Sequence, residues 1–398
     1  MADTENNKNS NSPAERAQGN APALRFPGFT DPWKVKNLEQ ICSINPKSGK
    51  VPEQFVYIDL ESIEKGTLKK KSIISRENAP SRAQRVVKYG DVLYQCVRPY
   101  QNNHFIFSSN DELEKYVAST GFAQLRNADN PYFLFYSIQT PRFTNDVMNR
   151  CTGSNYPAIN STDLSSIQIG VPTLREQEKI SSMLCLLDER IATQKRLIED
   201  LEKLKSSIVD RMFSDIDGEI VKFRDILEIS TQRNDGKAEY RILSASQEFG
   251  MIERESLDID IKAEAKSVKT YKRVHPGDYV LHLRSFQGGL AFAEIEGICS
   301  PAYTILRPNR RLEYGYLKEY FNSSKFIKSL VLVTDGIRDG RSINVEEFLD
   351  MAFTIHSKDK QGEIVRFLSA LNGKVTVENS ILNRYEQQRV YLLGKLFI

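Results

Sequence analysis

Two stretches of this chain place apolar residues at alternating intervals of four and three. The first runs Ile180, Leu184, Leu187, Ile191, Ile198, Leu201, Ile208 and Met212, with Gln194 and Lys205 on the same seam. The second runs Ile364, Leu368, Leu371, Val375, Leu382, Tyr385, Leu392 and Leu396, with Glu378 and Arg389 on it. This spacing gathers side chains into one stripe along a helix and favours a left-handed coiled coil. Pro172 stands where a helix start tolerates proline, and Gly218 lies just past the end of the first stretch. The rest of the chain reads differently. Runs of strand character at 92–97 and 279–283 each follow a Gly-Asp turn signal, and 303–306 reads similarly. Short helices are predicted at 132–139 and 314–322.

The two seams are offset by 184 residues, and other features repeat at nearly that distance. Gly90-Asp91 recurs as Gly277-Asp278. Ile159-Asn160 recurs as Ile343-Asn344, Gln177 as Gln361, and Leu38 and Ile41 as Phe223 and Ile226. A period of roughly 185 residues means a duplicated module, not a solenoid, whose repeats run about 20–50 residues. Each copy has a mixed head followed by a long helix. The fold class is therefore α+β, two similar globular heads and two long helices related by an internal pseudo-twofold repeat. The expected boundaries are a disordered polar segment 1–23, a first head 24–173, a central helix 174–214, a second head 219–357 and a C-terminal helix 360–398.

Helices so far apart in sequence can pair antiparallel. A register placing Lys205 opposite Glu378 and Gln194 opposite Arg389 leaves apolar layers such as Leu187–Leu396 and Ile191–Leu392. A helix over 175–213 would be roughly 58 Å long at about 1.5 Å per residue and would hold the heads well apart. Copy two departs at its helix start, where His356-Ser357 replaces Val171-Pro172 and Gly362 interrupts, so a less clean beginning is expected.

Composition narrows the functional classes. The 398 residues carry 55 Lys+Arg against 52 Asp+Glu, a net charge of +3, which suits a soluble globular chain. No apolar run of about 18 residues argues for a membrane span. The polar N-terminus lacks the apolar core of a secretion signal, which points to the cytoplasm. Five scattered cysteines without a CxxC pair, and four histidines, suggest neither a disulfide framework nor a metal site. No GxxxxGK[ST] loop or Gly-x-Ser-x-Gly elbow occurs, and Ser48-Gly49-Lys50 lacks the upstream glycine of a phosphate loop. Asp129-Asn130-Pro131-Tyr132 has one proline and no glycine-rich neighbour, so it reads as a turn before a helix. No catalytic residue is expected.

In this setting the chain resembles the specificity (S) subunit of a type I restriction-modification system. The resemblance rests on Leu24-Arg-Phe-Pro-Gly-Phe29 followed by Trp33 and Leu38, and on Gly90-Asp-Val-Leu-Tyr94. Its most specific part is Gly153-Ser-Asn-Tyr-Pro-Ala-Ile-Asn160, then Ile169-Gly-Val-Pro172, Arg175-Glu-Gln-Glu-Lys-Ile180 and Leu187-Asp188. It covers nearly the whole chain from Leu24 on. It implies a non-catalytic reader of double-stranded DNA whose two heads are target-recognition domains, each reading one half of a split target. The helices would set the gap and dock two methyltransferase subunits. Restriction and translocase subunits would complete the complex. S-adenosylmethionine, ATP and Mg would reside on those partners, with no cofactor on this chain and no membrane contact. The competing reading is a coiled-coil adaptor without sequence-specific DNA binding.

DNA binding needs cations for phosphates and planar polar side chains for base edges. The densest basic run is Lys69-Lys70-Lys71, followed by Arg76, Arg82, Arg85 and Lys88. Lys262, Lys266, Lys269, Lys272 and Arg273 precede the second Gly-Asp turn. After each predicted strand an arginine, an aromatic and a glutamine follow: Arg98, Tyr100 and Gln101 in copy one, Arg284, Phe286 and Gln287 in copy two. These arginines read either as DNA contacts or as scaffold cations shared by both heads. The loops with Asn155 and Tyr156, and with Arg338 and Arg341, are further candidates. Residues 24–173 carry 18 basic and 14 acidic side chains, and 219–357 carry 20 and 21. Neither head is uniformly basic, so assembly with methyltransferase subunits is expected to supply much of the affinity.

Overall fold

The computed structural model describes residues 20–109, 114–214, 217–236, 239–246, 249–256, 268–282, 285, 289–335 and 342–398. The chain divides into two compact units. One comprises 1–194 with 381–398, the other 195–380.

In the first unit, β1 (Lys34–Asn37) runs into a 3-10 turn that begins at Leu38, where the Asn37 N–H donates to Gln40 Oε1 at 2.8 Å. The strands β2 (Ser43–Ile44), β3 (Gln54–Ile58), β4 (Ser72–Ser75), β5 (Ala83–Val86), β6 (Val92–Gln95), β7 (Phe105–Ile106), β8 (Tyr116–Ser119) and β9 (Phe122–Arg126) follow. They form two four-stranded sheets, in the orders β4-β3-β8-β5 and β2-β9-β6-β7. Only the β3–β8 pair in these sheets is parallel. Three short helices come next: α1 (Pro131–Ser137), α2 (Pro141–Met148) and α3 (Ser161–Ser165). β10 (Gln168–Val171) returns antiparallel to β1, and α4 (Leu174–Met212) leaves the head and continues into the second unit.

The second unit repeats much of this plan. β11 (Glu219–Lys222) enters a 3-10 turn, with the Lys222 N–H donating to Asp225 Oδ2 at 2.8 Å. β12 (Leu227–Ser230), β13 (Lys272–Val274), β14 (Tyr279–Leu281), β15 (Ala291–Phe292), β16 (Gly297–Cys299) and β17 (Thr304–Pro308) follow. The sheet order β12-β17-β14-β15 reproduces β2-β9-β6-β7 of the first unit. After α5 (Ser324–Ser329) and α6 (Val345–Asp350), β18 (Ala352–Ile355) pairs antiparallel with β11, as β10 does with β1, and α7 (Lys358–Lys395) follows.

The repeated motifs have shared structural jobs. Asn160 Oδ1 accepts the Asp163 N–H at 2.8 Å to cap α3, and Asn344 Oδ1 accepts the Glu347 N–H at 3.3 Å to cap α6. Gln177 Nε2 donates to the Pro172 carbonyl at 3.1 Å, and Gln361 Nε2 to the His356 carbonyl at 3.0 Å. Each buried glutamine thus binds the carbonyl just past the exit strand to the helix that follows.

The two long helices pack together, antiparallel. In the first unit Leu187 and Ile191, from the early part of α4, share a core with Leu392 and Leu396 from the end of α7. In the second, Val209 near the end of α4 shares a core with Ile364 and Leu368 at the start of α7. Every seam position named above is buried or half-buried. The polar partnerships differ from those expected. Lys205 Nζ lies 2.7 Å from Glu319 Oε2, not on Glu378, and Glu378 pairs with Lys374 on its own helix. Arg389 donates to Asp188 Oδ1 at 2.6 Å and to Gln139 Oε1 at 2.9 Å, not to Gln194. In each unit the adjoining head brings a polar side chain to the seam, and the long cation reaches that cluster.

Three further expectations are corrected. Residues 20–23 are held: Asn20 offers its carbonyl to the Trp33 N–H at 2.9 Å and Pro22 is buried. Residues 1–19 lie outside the described residues. No α-helix spans 314–322. Gly315 takes a φ of +78°, outside the helical region, and only a 3-10 turn forms at Tyr320–Asn322 before α5. Gly362 does not disturb α7, which begins before it, with the Lys360 and Gln361 N–H groups bonded to Ser357. No described helix is long and apolar enough to cross a membrane.

Candidate nucleic-acid interface

The Gly-Asp turn fixes the strand that leads to the candidate site. Gly90 and Gly277 adopt φ of +81° and +99°, which glycine reaches without strain. Asp91 is fully buried and accepts from the Lys88 N–H at 2.6 Å, from Gln124 Nε2 at 2.8 Å, and from Arg126 Nε and Nη2 at 2.7 Å each. Asp278 accepts from the His275 N–H at 2.8 Å and from Arg307 Nε and Nη2 at 3.0 Å each. The repeated dipeptide is a scaffold: a buried carboxylate ties the turn to an arginine on the neighbouring strand. Arg126 and Arg307 carry half of this device. The signal that could have found them is an arginine at or one residue before the end of each of two strands that follow a Gly-Asp turn.

Beyond β6 the backbone turns sharply. Val97 and Thr152 both bridge to Ala158, and the Arg98 N–H donates to the Pro157 carbonyl at 2.8 Å. Arg98 and Asn102 hold φ of +52° and +53°, a region non-glycine residues seldom enter. Such strain persists only where the surroundings over-determine it, and it clusters at functional sites. The Arg98 guanidinium lies 4.3 Å over the Tyr156 ring. Tyr156 itself is 63% exposed, and Tyr100, on the same turn as Arg98, is exposed too. Gln101 Oε1 accepts from Gln95 Nε2 at 3.0 Å, so its carbonyl is engaged within the head. Asn155 is exposed on the loop with Tyr156. His104 backs the turn. Its Nδ1 accepts the Gln95 N–H at 3.1 Å, its ring stacks on Tyr94 at 4.2 Å, and burial pushes its pKa down to about 3.

Arg98, Tyr100, Gln101 and Tyr156 therefore meet at one surface of the first unit. Lys69, Lys70 and Lys71 are exposed on the segment leading into β4. Lys71 pairs with Glu114 at 3.1 Å and Lys69 approaches Glu64 at 3.9 Å. In the second unit Lys269 is exposed. Lys272 donates from Nζ to the Tyr303 carbonyl at 2.6 Å, which gives it a scaffold role the sequence did not suggest. Arg284, Gln287, Arg338 and Arg341 lie outside the described residues. The His282 N–H donates to the buried Ser285 Oγ at 2.8 Å. Among the described residues no group of three or more His, Cys, Asp or Glu side chains could hold a metal ion.

Residues 30–203, spanning the first head and most of α4, match the family described as type I restriction modification DNA specificity domain. The chain is 29% identical over 147 residues to the type I restriction enzyme HindI specificity subunit of Haemophilus influenzae, covering 35% of this chain and 31% of that one. It is 27% identical over 85 residues to the type I restriction enzyme MjaIX specificity subunit of Methanocaldococcus jannaschii, covering 21% and 20%. The matches thus span a third or less of the length of these relatives. Two solved structures share the fold. A type I restriction-modification system S subunit from M. genitalium matches over 95% of this chain and 99% of its own, with a TM-score of 0.56 and 13% identity. A chain from work on complex assembly and conformational transition of the type I R-M system matches over 93% and 98%, with a TM-score of 0.58 and 21% identity.

Proposed function

We propose that this chain is the non-catalytic DNA reader of a type I restriction-modification complex, each head recognising one half of a split target. The observation that carries this reading is the duplicated scaffold. Both units have a capped opening strand, a Gly-Asp turn locked by arginine and an Asn-capped helix. Both close with an exit strand followed by a glutamine-bound carbonyl and a long helix. Two heads with a common frame suit a target with two separated half-sites on one rod. Arg98, Tyr100, Gln101, Asn155 and Tyr156 form the contact surface of the first head, with Lys69, Lys70 and Lys71 as phosphate contacts. Lys269, Arg284, Gln287, Arg338 and Arg341 serve the second.

The helices set the gap and dock two methyltransferase subunits, to which restriction and translocase subunits attach. Exposed apolar residues on the helices support that docking: Leu186, Val390 and Tyr391 in the first unit, and Leu197, Leu204, Phe367 and Val377 in the second. S-adenosylmethionine, ATP and Mg belong to those partners. The test is a single-molecule methylome of the host with the gene intact and deleted. Loss of methyl-adenine at one split motif, two short halves around a fixed gap, is expected. An unchanged methylome, in a host where the chain co-purifies with methyltransferase subunits, would refute the reading.

A further inference from the structure

We propose that Arg85 is a DNA contact of the first head, its guanidinium held to receive acceptor oxygens of the duplex, from a phosphate or from a guanine edge. This rests on the reading of the chain as a DNA reader.

Arg85 lies on β5, paired with Ala118 of β8, and is half-buried. Its Nε is buried and has no hydrogen-bond partner. Among the described residues no carboxylate lies within ion-pair distance of it. The other arginines of this unit that are not exposed are satisfied. Arg25 holds Glu176 at 2.7 Å, Arg126 holds Asp91 at 2.7 Å, Arg389 holds Asp188 at 2.6 Å, and Arg98 lies on Tyr156. A cation partly removed from water without a counter-charge destabilises the fold, and replacing it with an apolar side chain should relieve that penalty. Burial accordingly lowers the pKa of this guanidinium from its ordinary value.

The position of Arg85 supplies the reason to keep it. Its strand partner Ala118 lies three residues before Gly121, whose carbonyl accepts the Cys96 N–H at 3.0 Å. The Cys96 carbonyl accepts the Ile159 N–H at 3.1 Å, and the carbonyl of Pro157, two residues earlier in the chain, accepts the Arg98 N–H at 2.8 Å. Hydrogen bonds through Gly121 and Cys96 therefore connect the strand of Arg85 to the Arg98–Tyr156 loops. The 187-residue offset of the Gly-Asp turns puts Lys272 at the equivalent place in copy two, and that amine is bonded to a carbonyl within its own head. The two equivalent cations therefore differ: Arg85 Nε has no partner and Lys272 Nζ has one.

The test uses the full chain assembled with its methyltransferase subunits, as wild type, Arg85→Met and Arg85→Lys. Each is measured for thermal unfolding and for selection from a random-sequence duplex pool across a salt series. Arg85→Met is expected to melt at a higher temperature than wild type while retaining DNA roughly tenfold more weakly, the scale of one good arginine contact. If the acceptor is a phosphate, the selected motif is unchanged, the salt slope falls by about one, and Arg85→Lys recovers most of the binding. If it is a guanine, discrimination at one position is lost and lysine does not restore it, because it lacks the planar fork. A lower melting temperature for Arg85→Met would make Arg85 structural and overturn the proposal. Unchanged binding by Arg85→Met, with wild type selecting a motif, would overturn it alone. A wild-type assembly that selects no motif and retains no duplex would overturn the underlying reading with it.

Discussion

Removing the carboxylate of Asp91 tests whether the Gly-Asp turn is the scaffold of the first head. In Asp91→Ala, Arg126 keeps its bond to the Val86 carbonyl at 2.9 Å but loses both bonds to the acid, while remaining only 14% exposed. The Lys88 N–H and the Gln124 amide each lose an acceptor as well. Breaking a buried ion pair by removing one partner costs about 3–5 kcal/mol. For a unit of this size each kcal/mol moves the melting temperature by roughly 2–4 °C, so a fall of about 10 °C is expected. In the second unit, Asp278→Ala should cost less, because Arg307 is 37% exposed and water can replace its partner. Urea unfolding gives the free energy, and hydrogen exchange resolved by peptide shows which unit loosens. The double variant Asp91→Ala/Arg126→Met should cost less than the sum of the single changes, since no uncompensated cation remains. A loss under about 1 kcal/mol for Asp91→Ala, or strict additivity in the double variant, would refute the reasoning.

Other outcomes follow from particular contacts. In Gly170→Ala, the new methyl would sit 2.2 Å from Ile398 Cγ1 and 2.9 Å from Trp33 Cε3. Overpacking should cost about 1–3 kcal/mol by urea unfolding, and Ile398→Ala in the same chain should recover part of it. Asn160→Ala and Asn344→Ala each remove a helix cap and should each cost about 1 kcal/mol, with aspartate at either site preserving most of the stability. His104 gives a pH signature. Its folded pKa of about 3 lies below the ordinary 6.5, so the unfolded chain takes up the proton first. The stability it secures is complete above pH 6.5 and falls with pH towards 3, at up to about 1.4 kcal/mol per pH unit. His104→Gln, which keeps an acceptor for the Gln95 N–H, should flatten that dependence, and an unchanged pH profile would contradict the assignment.

The repeat and the seams were legible because they are matters of spacing, and spacing survives when side chains change. Asn160 and Asn344, or Gln177 and Gln361, do one job in both copies, so they recur at one offset. The polar partners were not legible. Arg389 finds Asp188 and Gln139, and Lys205 finds Glu319, through the approach of a head to its helices, which no periodicity encodes. The stretch 314–322 failed as a helix because a glycine with positive φ outweighed the apolar pattern. At the candidate surface the arginine–aromatic–glutamine order was visible, but the stacking of Arg98 on Tyr156 joins residues from separate loops. Arg85 was one basic residue in a run, and only its burial separates it from the exposed cations around it.

The seam clusters also set where two such chains could exchange parts. In the first unit the acid, Asp188, is on the helix and the head offers the amide Gln139. In the second the acid, Glu319, is on the head, and Asn372 on the helix offers an amide that donates to it at 2.7 Å. Each acid thus travels with a head plus the first half of the helix that follows it, and each cation travels with a second half. Crossovers placed between Asp188 and Lys205, or between Asn372 and Arg389, conserve one acid and one cation per cluster whichever heads are joined. A crossover at the head–helix junction does not. It sets Glu319 and Asp188 against a single cation in one product, and leaves a cation facing only Gln139 and Asn372 in the other. Chimeras cut in the helix should keep these clusters neutral, and those cut at its start should not.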